Sequence, residues 1–290
     1  MLATLRSSKF NAYWRLMRFD KPIGILLLLW PALWALWIAG AGHPSIKALL
    51  AIALGTVLMR AAGCVINDYA DREFDPHVER TRLRPIAAGE VSPREALWLF
   101  VGLTLTAFLL VLQLNTLSIA LSFPGAFLAA SYPFTKRLTH LPQAYLGIAF
   151  GWAVPMAFAA EMDQIPADAW VLFAATAIWA LIYDTMYAMV DRDDDLRIGV
   201  KSTAILFGKM DRLIMGILQV LMLGLLFQAG QDAGLGSLYH VGLLGGLGFF
   251  GYQQWLIRKR EKALCFKAFL NNNWFGASIF IGIALDYALR

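Results

Sequence analysis

Runs of about 20 apolar residues recur along this chain, the length at which one helix spans a hydrocarbon core of roughly 30 Å. In lipid every backbone amide needs a partner inside its own helix or inside a closed barrel. Barrel strands alternate apolar and polar residues, whereas these runs are continuous, so the pattern predicts an all-α polytopic membrane protein. Composition agrees: of 290 residues 59% are hydrophobic and 16% charged, against roughly 25% charge in soluble domains.

Nine transmembrane helices are expected, at residues 23–41, 46–65, 95–112, 117–132, 144–160, 169–189, 213–229, 238–256 and 268–289. The first follows a basic segment, but its apolar stretch is long for a signal-peptide core and further spans follow, so an uncleaved helix is expected. Alternating the spans places the N-terminus and the loops after the second, fourth, sixth and eighth on one side. That side holds Arg15, Arg18 and Lys21, then Arg80, Arg82 and Arg84, then Lys136 and Arg137, then Arg197 and Lys201, then Arg258, Lys259 and Arg260. The other side offers Lys47 and Arg290, with the acids Glu161, Asp163 and Asp232. The positive-inside rule makes the first side cytoplasmic. The net charge of +5 is therefore read as a topology signal, and no nucleic-acid partner is expected, because no separate basic domain exists.

Cys64 and Cys265 fit no CxxC pattern and are expected near cytoplasmic loops as reduced thiols, with no disulfide or zinc site. His43, His77, His140 and His240 are scattered without ligand spacing. The two longest connections, about 66–94 and 190–212, both begin with dense acid, and their embedded Ile86, Ala87, Ile205, Leu206 and Phe207 argue for order. They follow the second and sixth spans, so the two halves loosely echo each other.

Chemistry concentrates at these two places. On a continuing helix Asn67, Asp71 and Asp75 recur every four residues and stack their oxygens on one face, with Asp68 beside them. Such a column repels itself unless a cation neutralises it, and oxygen donors at this density suit Mg2+, which also takes substrate phosphate oxygens. Asp184, Tyr187, Asp191 and Asp195 repeat the device at the end of the sixth span, and two columns at one depth could hold a metal-bridged diphosphate between them. Asp193 and Asp194 fall off the column and read as solvated. Basic residues that could neutralise a diphosphate are Arg72, Arg84, Lys136, Arg137 and Lys201, although each alone reads more readily as a topology residue than as a ligand. Most of the ten tryptophans read as packing or interface residues. Tyr187 is different, because its ring lies one turn from the acids, where a π face can steady a carbocation.

The motifs Asn67-Asp68-x-x-Asp71-x-x-x-Asp75 and Asp184-x-x-Tyr187-x-x-x-Asp191-x-x-x-Asp195 resemble the two signatures of the UbiA prenyltransferase superfamily. Within it, residues 18–24, 84–89, 132–137 and 199–208 are similar to the branch that acts on 4-hydroxybenzoate in ubiquinone synthesis, and the likeness runs from about Trp14 to the last span. The resemblance implies one transmembrane domain over residues 1–290, with helices around a central cavity capped by the two acidic connections. It implies Mg2+ as cofactor, held with diphosphate by Asn67, Asp71, Asp191 and Asp195, with Asp68 and Asp75 in support. Arg72, Lys136, Arg137 and Lys201 would neutralise phosphate or the acceptor carboxylate. The substrates implied are a polyprenyl diphosphate and 4-hydroxybenzoate, in the inner membrane of a bacterium. Alternatives left open are a sibling enzyme with a naphthoate, homogentisate or haem acceptor, a polyprenyl-phosphate sugar-phosphate transferase, and a cation transporter.

Overall fold

The computed structural model describes residues 2–78 and 81–290; Arg80, counted above among the basic loop residues, lies outside the described residues. Twelve helices follow in order: α1 (Leu2–Leu16), α2 (Ile23–Ala39), α3 (Ile46–Ala70), α4 (Pro93–Val111), α5 (Thr116–Leu138), α6 (Pro142–Gly151), α7 (Ala153–Met162), α8 (Ala167–Ile198), α9 (Thr203–Phe207), α10 (Asp211–Asp232), α11 (Ser237–Leu256) and α12 (Lys262–Ala288). Among the described residues there is no strand. Among the described residues seven helical stretches are long and apolar enough to cross a bilayer: α3, α4, α5, α6 with α7, α8, α9 with α10, and α12. α2 is apolar but has 17 residues, and the 20-residue α11 is not among the seven.

Several ends follow local chemistry. Ser92 and Glu95 form a reciprocal capping box at the start of α4, and the Asn115 side chain accepts from Ser118 N at 2.8 Å to open α5. The expected fifth span is two short helices meeting at Trp152. Pro155 lacks the N–H that would bond the Gly151 carbonyl four residues back, and the helix breaks there. α5 continues to Leu138, past the expected end at 132, so Lys136 and Arg137 sit in its last turn and not in a loop. Their positive charge suits a helix C-terminus.

Two further expectations are corrected. The connection 190–212 is not a loop: α8 runs on to Ile198, ends at Gly199 with φ of 73°, and α9 follows after three more residues. The four-residue spacing of Asp191 and Asp195 keeps both on one face of this extension. Cys64 is not beside a loop either; it is buried within α3, and Arg60 donates to its sulfur.

Helices are joined inside the bilayer region by matched polar pairs. Three successive asparagines on α12 serve three partners: Asn271 accepts from Gln253 of α11 at 3.1 Å, Asn272 from the Trp179 indole of α8 at 2.9 Å, and Asn273 from the Trp30 indole of α2 at 2.9 Å. Gly276, one turn on, lets Trp30 and Trp179 approach, since a Cβ there would lie 2.8 Å from the Trp179 ring. The core continues through Trp34, 5.2 Å from Trp179, and through Phe250 stacked on Phe275 at 4.2 Å.

On the basic side, α1 lies against the connection 71–92 and α4. Ala12, Leu16, Val65, Ile86, Val91 and Ala96 form a small separate apolar cluster there. Lys9 and Tyr13 donate to Glu95 at 2.8 and 3.0 Å, and Arg15 pairs with Glu90. The first acidic connection is therefore packed, as its embedded apolar residues require.

Candidate active site at the mouth of an apolar chamber

A chamber of about 860 Å³ opens between α2, α3, α4, α5, α6, α7, α8 and α12, walled by side chains such as Leu27, Ile52, Phe108, Phe123, Met156 and Phe269. Above it lies a smaller polar cavity of about 170 Å³, lined by Asn67, Asp71 and Asp75 on one wall and by Asp184, Tyr187, Asp191 and Asp195 on the other, with Arg84, Lys136 and Lys201 between. The two acidic motifs, over a hundred residues apart in sequence, thus face one space. Asn67, Arg84, Tyr132, Asp184 and Tyr187 line both cavities and mark their boundary.

The first motif departs from a single helical column. α3 ends at Ala70, with Asp71 as its C-cap; Asp75 N still bonds Asp71 O at 2.9 Å, and Asp75 then opens a 3-10 turn, Asp75–His77. Asp68, Asp71 and Asp75 are all buried, and cations share them out. Asp68 takes Arg18 at 2.9 Å and Arg84 at 3.1 Å, and Arg84 also reaches Asp75 at 3.0 Å. Lys136 pairs with Asp71, whose same oxygen accepts from Asn67 at 3.2 Å, while Tyr132 donates to Asn67 at 3.2 Å. Burial pushes the Asp75 carboxyl up to about 6, Arg84 opposes the shift, and Asp71 and Asp68 add to it. Burial works against the Arg84 charge, but Asp68 and Asp75 outweigh it and raise the guanidinium above its ordinary range.

The second wall is held from behind. Arg192, between Asp191 and Asp193 on α8, donates to Asp211 at 2.5 Å, and Arg260 reaches the same carboxylate at 2.7 Å. Asp211 is fully buried. The strand of chain after α8 is tied to α5 by Lys201 N on the Lys136 carbonyl at 3.2 Å and Lys201 Nζ on the Leu138 carbonyl at 3.3 Å. Tyr187 stands with Phe269 at 4.8 Å and Phe266 at 6.1 Å, so an aromatic cluster lines the chamber just inside the mouth.

Not every expected residue lines the polar cavity. Asp68 faces the chamber side, between its two arginines. Arg72 stacks over Tyr69 at 4.6 Å and bonds the Tyr69 carbonyl, and Arg137 lies over Phe74 at 5.1 Å and donates to the Ala70 carbonyl. Neither is among the residues lining the cavity. Conversely, Arg60 is a chamber residue outside both acidic motifs and all the basic loops. It lies in α3 on the chamber wall, 6.0 Å from the Phe150 ring, with its Nε buried and unbonded. Its signal was present: an arginine inside an apolar span is expensive and marks function by default.

Among the described residues no three of His, Cys, Asp and Glu form a ready-made metal cage. The donors still suit a hard cation. Asp71 Oδ1 is buried without a hydrogen-bond partner, carboxylates stand on both walls, and Mg2+ completes its octahedron with waters and substrate oxygens.

Known proteins share this architecture. A homologue from Aeropyrum pernix K1, described as a UbiA homolog in its apo state, superposes with a TM-score of 0.79 at 26% identity, over 89% of this chain and 97% of that one. A UbiA homolog from Archaeoglobus fulgidus, bound to GPP and Mg2+, has the same fold, with a TM-score of 0.69 at 17% identity over 94% of this chain and 99% of its own. In sequence, the 4-hydroxybenzoate octaprenyltransferase of Methylococcus capsulatus is 70% identical over 280 residues, 97% of this chain and 96% of that protein. That of Nitrosococcus oceani is 65% identical over 275 residues, 95% and 96% of the two chains. The profile of the UbiA prenyltransferase family matches residues 28–279, and with the paired acidic walls above an apolar chamber this chain is an integral membrane protein of that family.

Proposed function

We propose that this chain transfers a polyprenyl group from a polyprenyl diphosphate to the ring carbon ortho to the hydroxyl of 4-hydroxybenzoate, releasing diphosphate, as a step of ubiquinone synthesis. The observation that carries this is the juxtaposition of a polar cavity, acidic on both walls and cationic between them, with an apolar chamber directly beneath. The acceptor follows from relatives of 65–70% identity that are named for 4-hydroxybenzoate.

The chain's residues divide the work by position. Asn67, Asp71, Asp191 and Asp195 would hold Mg2+, with Asp75 behind them; bound there, the ion neutralises the leaving diphosphate as a Lewis acid. Lys136, Arg84 and Lys201 lie where the diphosphate oxygens would enter, and Lys136 would exchange Asp71 for phosphate. The chamber receives the prenyl tail and excludes water that would quench a cation. As the allylic C–O bond breaks, the faces of Tyr187, Phe266 and Phe269 steady the positive charge. The ring carbon of the acceptor attacks, the new C–C bond forms, and Asp191 or the departing diphosphate takes the ring proton. Arg60, on the chamber wall with its Nε buried and unbonded, would pair the acceptor carboxylate.

The orientation belongs to the same proposal: nine crossings in a bacterial inner membrane, with α1 and the acidic walls cytoplasmic. Purified protein given 4-hydroxybenzoate, Mg2+ and a prenyl diphosphate should yield the ring-prenylated acid by mass spectrometry. Asp71→Ala and Asp191→Ala should each abolish it while the protein still folds in membranes. Full turnover by either variant would remove the acidic walls from the mechanism.

A further inference from the structure

Gly55 stands on α3 twelve residues before Asn67, which at 1.5 Å per residue puts it about 18 Å below the polar mouth. It lines the chamber, and a Cβ placed on it would meet no atom within 4 Å. Gly63 shares both properties but lies only about 6 Å below Asn67. Other chamber glycines differ: Gly24 is covered by the Arg60 guanidinium, and at Gly125 a Cβ would lie 2.8 Å from the Trp152 indole. Membrane helices commonly use glycine to bring a neighbouring helix close. Among the described residues nothing from another helix approaches Gly55, and mid-helix glycine costs about 1 kcal/mol relative to alanine. The free volume beside it belongs to the chamber and not to a helix contact.

We propose that Gly55 is a specificity-determining residue for donor length, keeping the chamber passable at a depth that only a long prenyl tail reaches. The inference rests on the prenyl-transfer reading and adds the length of the donor to it. An extended isoprene unit adds four backbone carbons, about 5 Å. A two-unit tail therefore ends well above Gly55, whereas an eight-unit tail is long enough to reach past it. A bulky side chain at position 55 discriminates between these donors; one at position 63, close to the mouth, obstructs both. Leu54, next door on α3, is 49% exposed on the outer surface and supplies the control.

The experiment compares kcat/KM for two-unit and eight-unit prenyl diphosphates, with 4-hydroxybenzoate and Mg2+, in wild type, Gly55→Trp, Gly63→Trp and Leu54→Trp. The eight-unit to two-unit ratio is expected to fall at least tenfold in Gly55→Trp and to stay at the wild-type value in Leu54→Trp, while Gly63→Trp loses both activities. Gly55→Leu should shift the ratio in the same direction by a smaller factor, and it carries the test if the tryptophan variant does not fold. An unchanged ratio in either folded Gly55 variant, or an equal loss with both donors, overturns the inference. Wild-type protein that transfers neither donor overturns the prenyl-transfer reading itself, and the length gauge with it.

Discussion

Arg60 and Asp75 show how single residues gain meaning from their surroundings. Truncating Arg60 to alanine should raise KM for 4-hydroxybenzoate by about 10–100-fold, the worth of a hydrogen bond to a charged group, with far less effect on KM for the donor. Steady-state kinetics with each substrate varied in turn would check it. Asp75 has a carboxyl raised to about 6 by burial, so between about pH 4 and pH 6 the metal-free folded protein binds a proton that the unfolded chain has released. Its contribution to stability is therefore present at low pH and falls as pH rises through that window. Melting in detergent with a chelator should show wild type losing ground to Asp75→Asn from pH 4 to above 6; parallel curves would refute the burial argument. Most cavity residues were legible as residues, because acids at four-residue spacing are costly without a cation. Arg72 and Arg137 were legible only as charges, and their guanidinium groups turn to aromatic rings and carbonyls instead of the cavity.

At the scale of elements, α8 is the instructive case. Its apolar run suggested an end near 189, yet the helix continues for nine residues of mainly charged sequence. Hydropathy reports where lipid stops and not where a helix stops, and the extension is stabilised from outside by Asp211. That carboxylate joins α8 through Arg192 and the turn before α12 through Arg260. Asp211→Ala would leave both guanidinium groups without their buried partner and should destabilise the protein by about 3–5 kcal/mol. Arg260→Ala should do less, since Arg260 is 35% exposed and Asp211 keeps Arg192. Chemical denaturation in detergent micelles would rank the two. Trp152 teaches the converse: Pro155 was visible in the sequence, and the break it causes splits one apolar run into two helices.

For the whole molecule, an odd number of crossings puts the two chain ends on opposite faces. A reporter active only outside the cytoplasm, fused after Arg290, should work, and the same reporter in the connection 199–202 should not. The same result at both positions would overturn the nine-crossing topology, and the reverse pattern would invert its orientation. The sequence by itself determined that the chain is helical and membrane-embedded, which side is basic, and where the two acidic motifs lie, because hydropathy, charge bias and four-residue spacing are local properties. Only the tertiary structure decided that the motifs face one cavity, that Lys136 answers Asp71 from α5, that Arg60 and Gly55 look into a chamber, and that Asp68 serves arginines. Those facts depend on which helices pack together, and in lipid that choice is made by shape and paired polar groups such as Asn271, Asn272 and Asn273, not by the apolar pattern all the spans share.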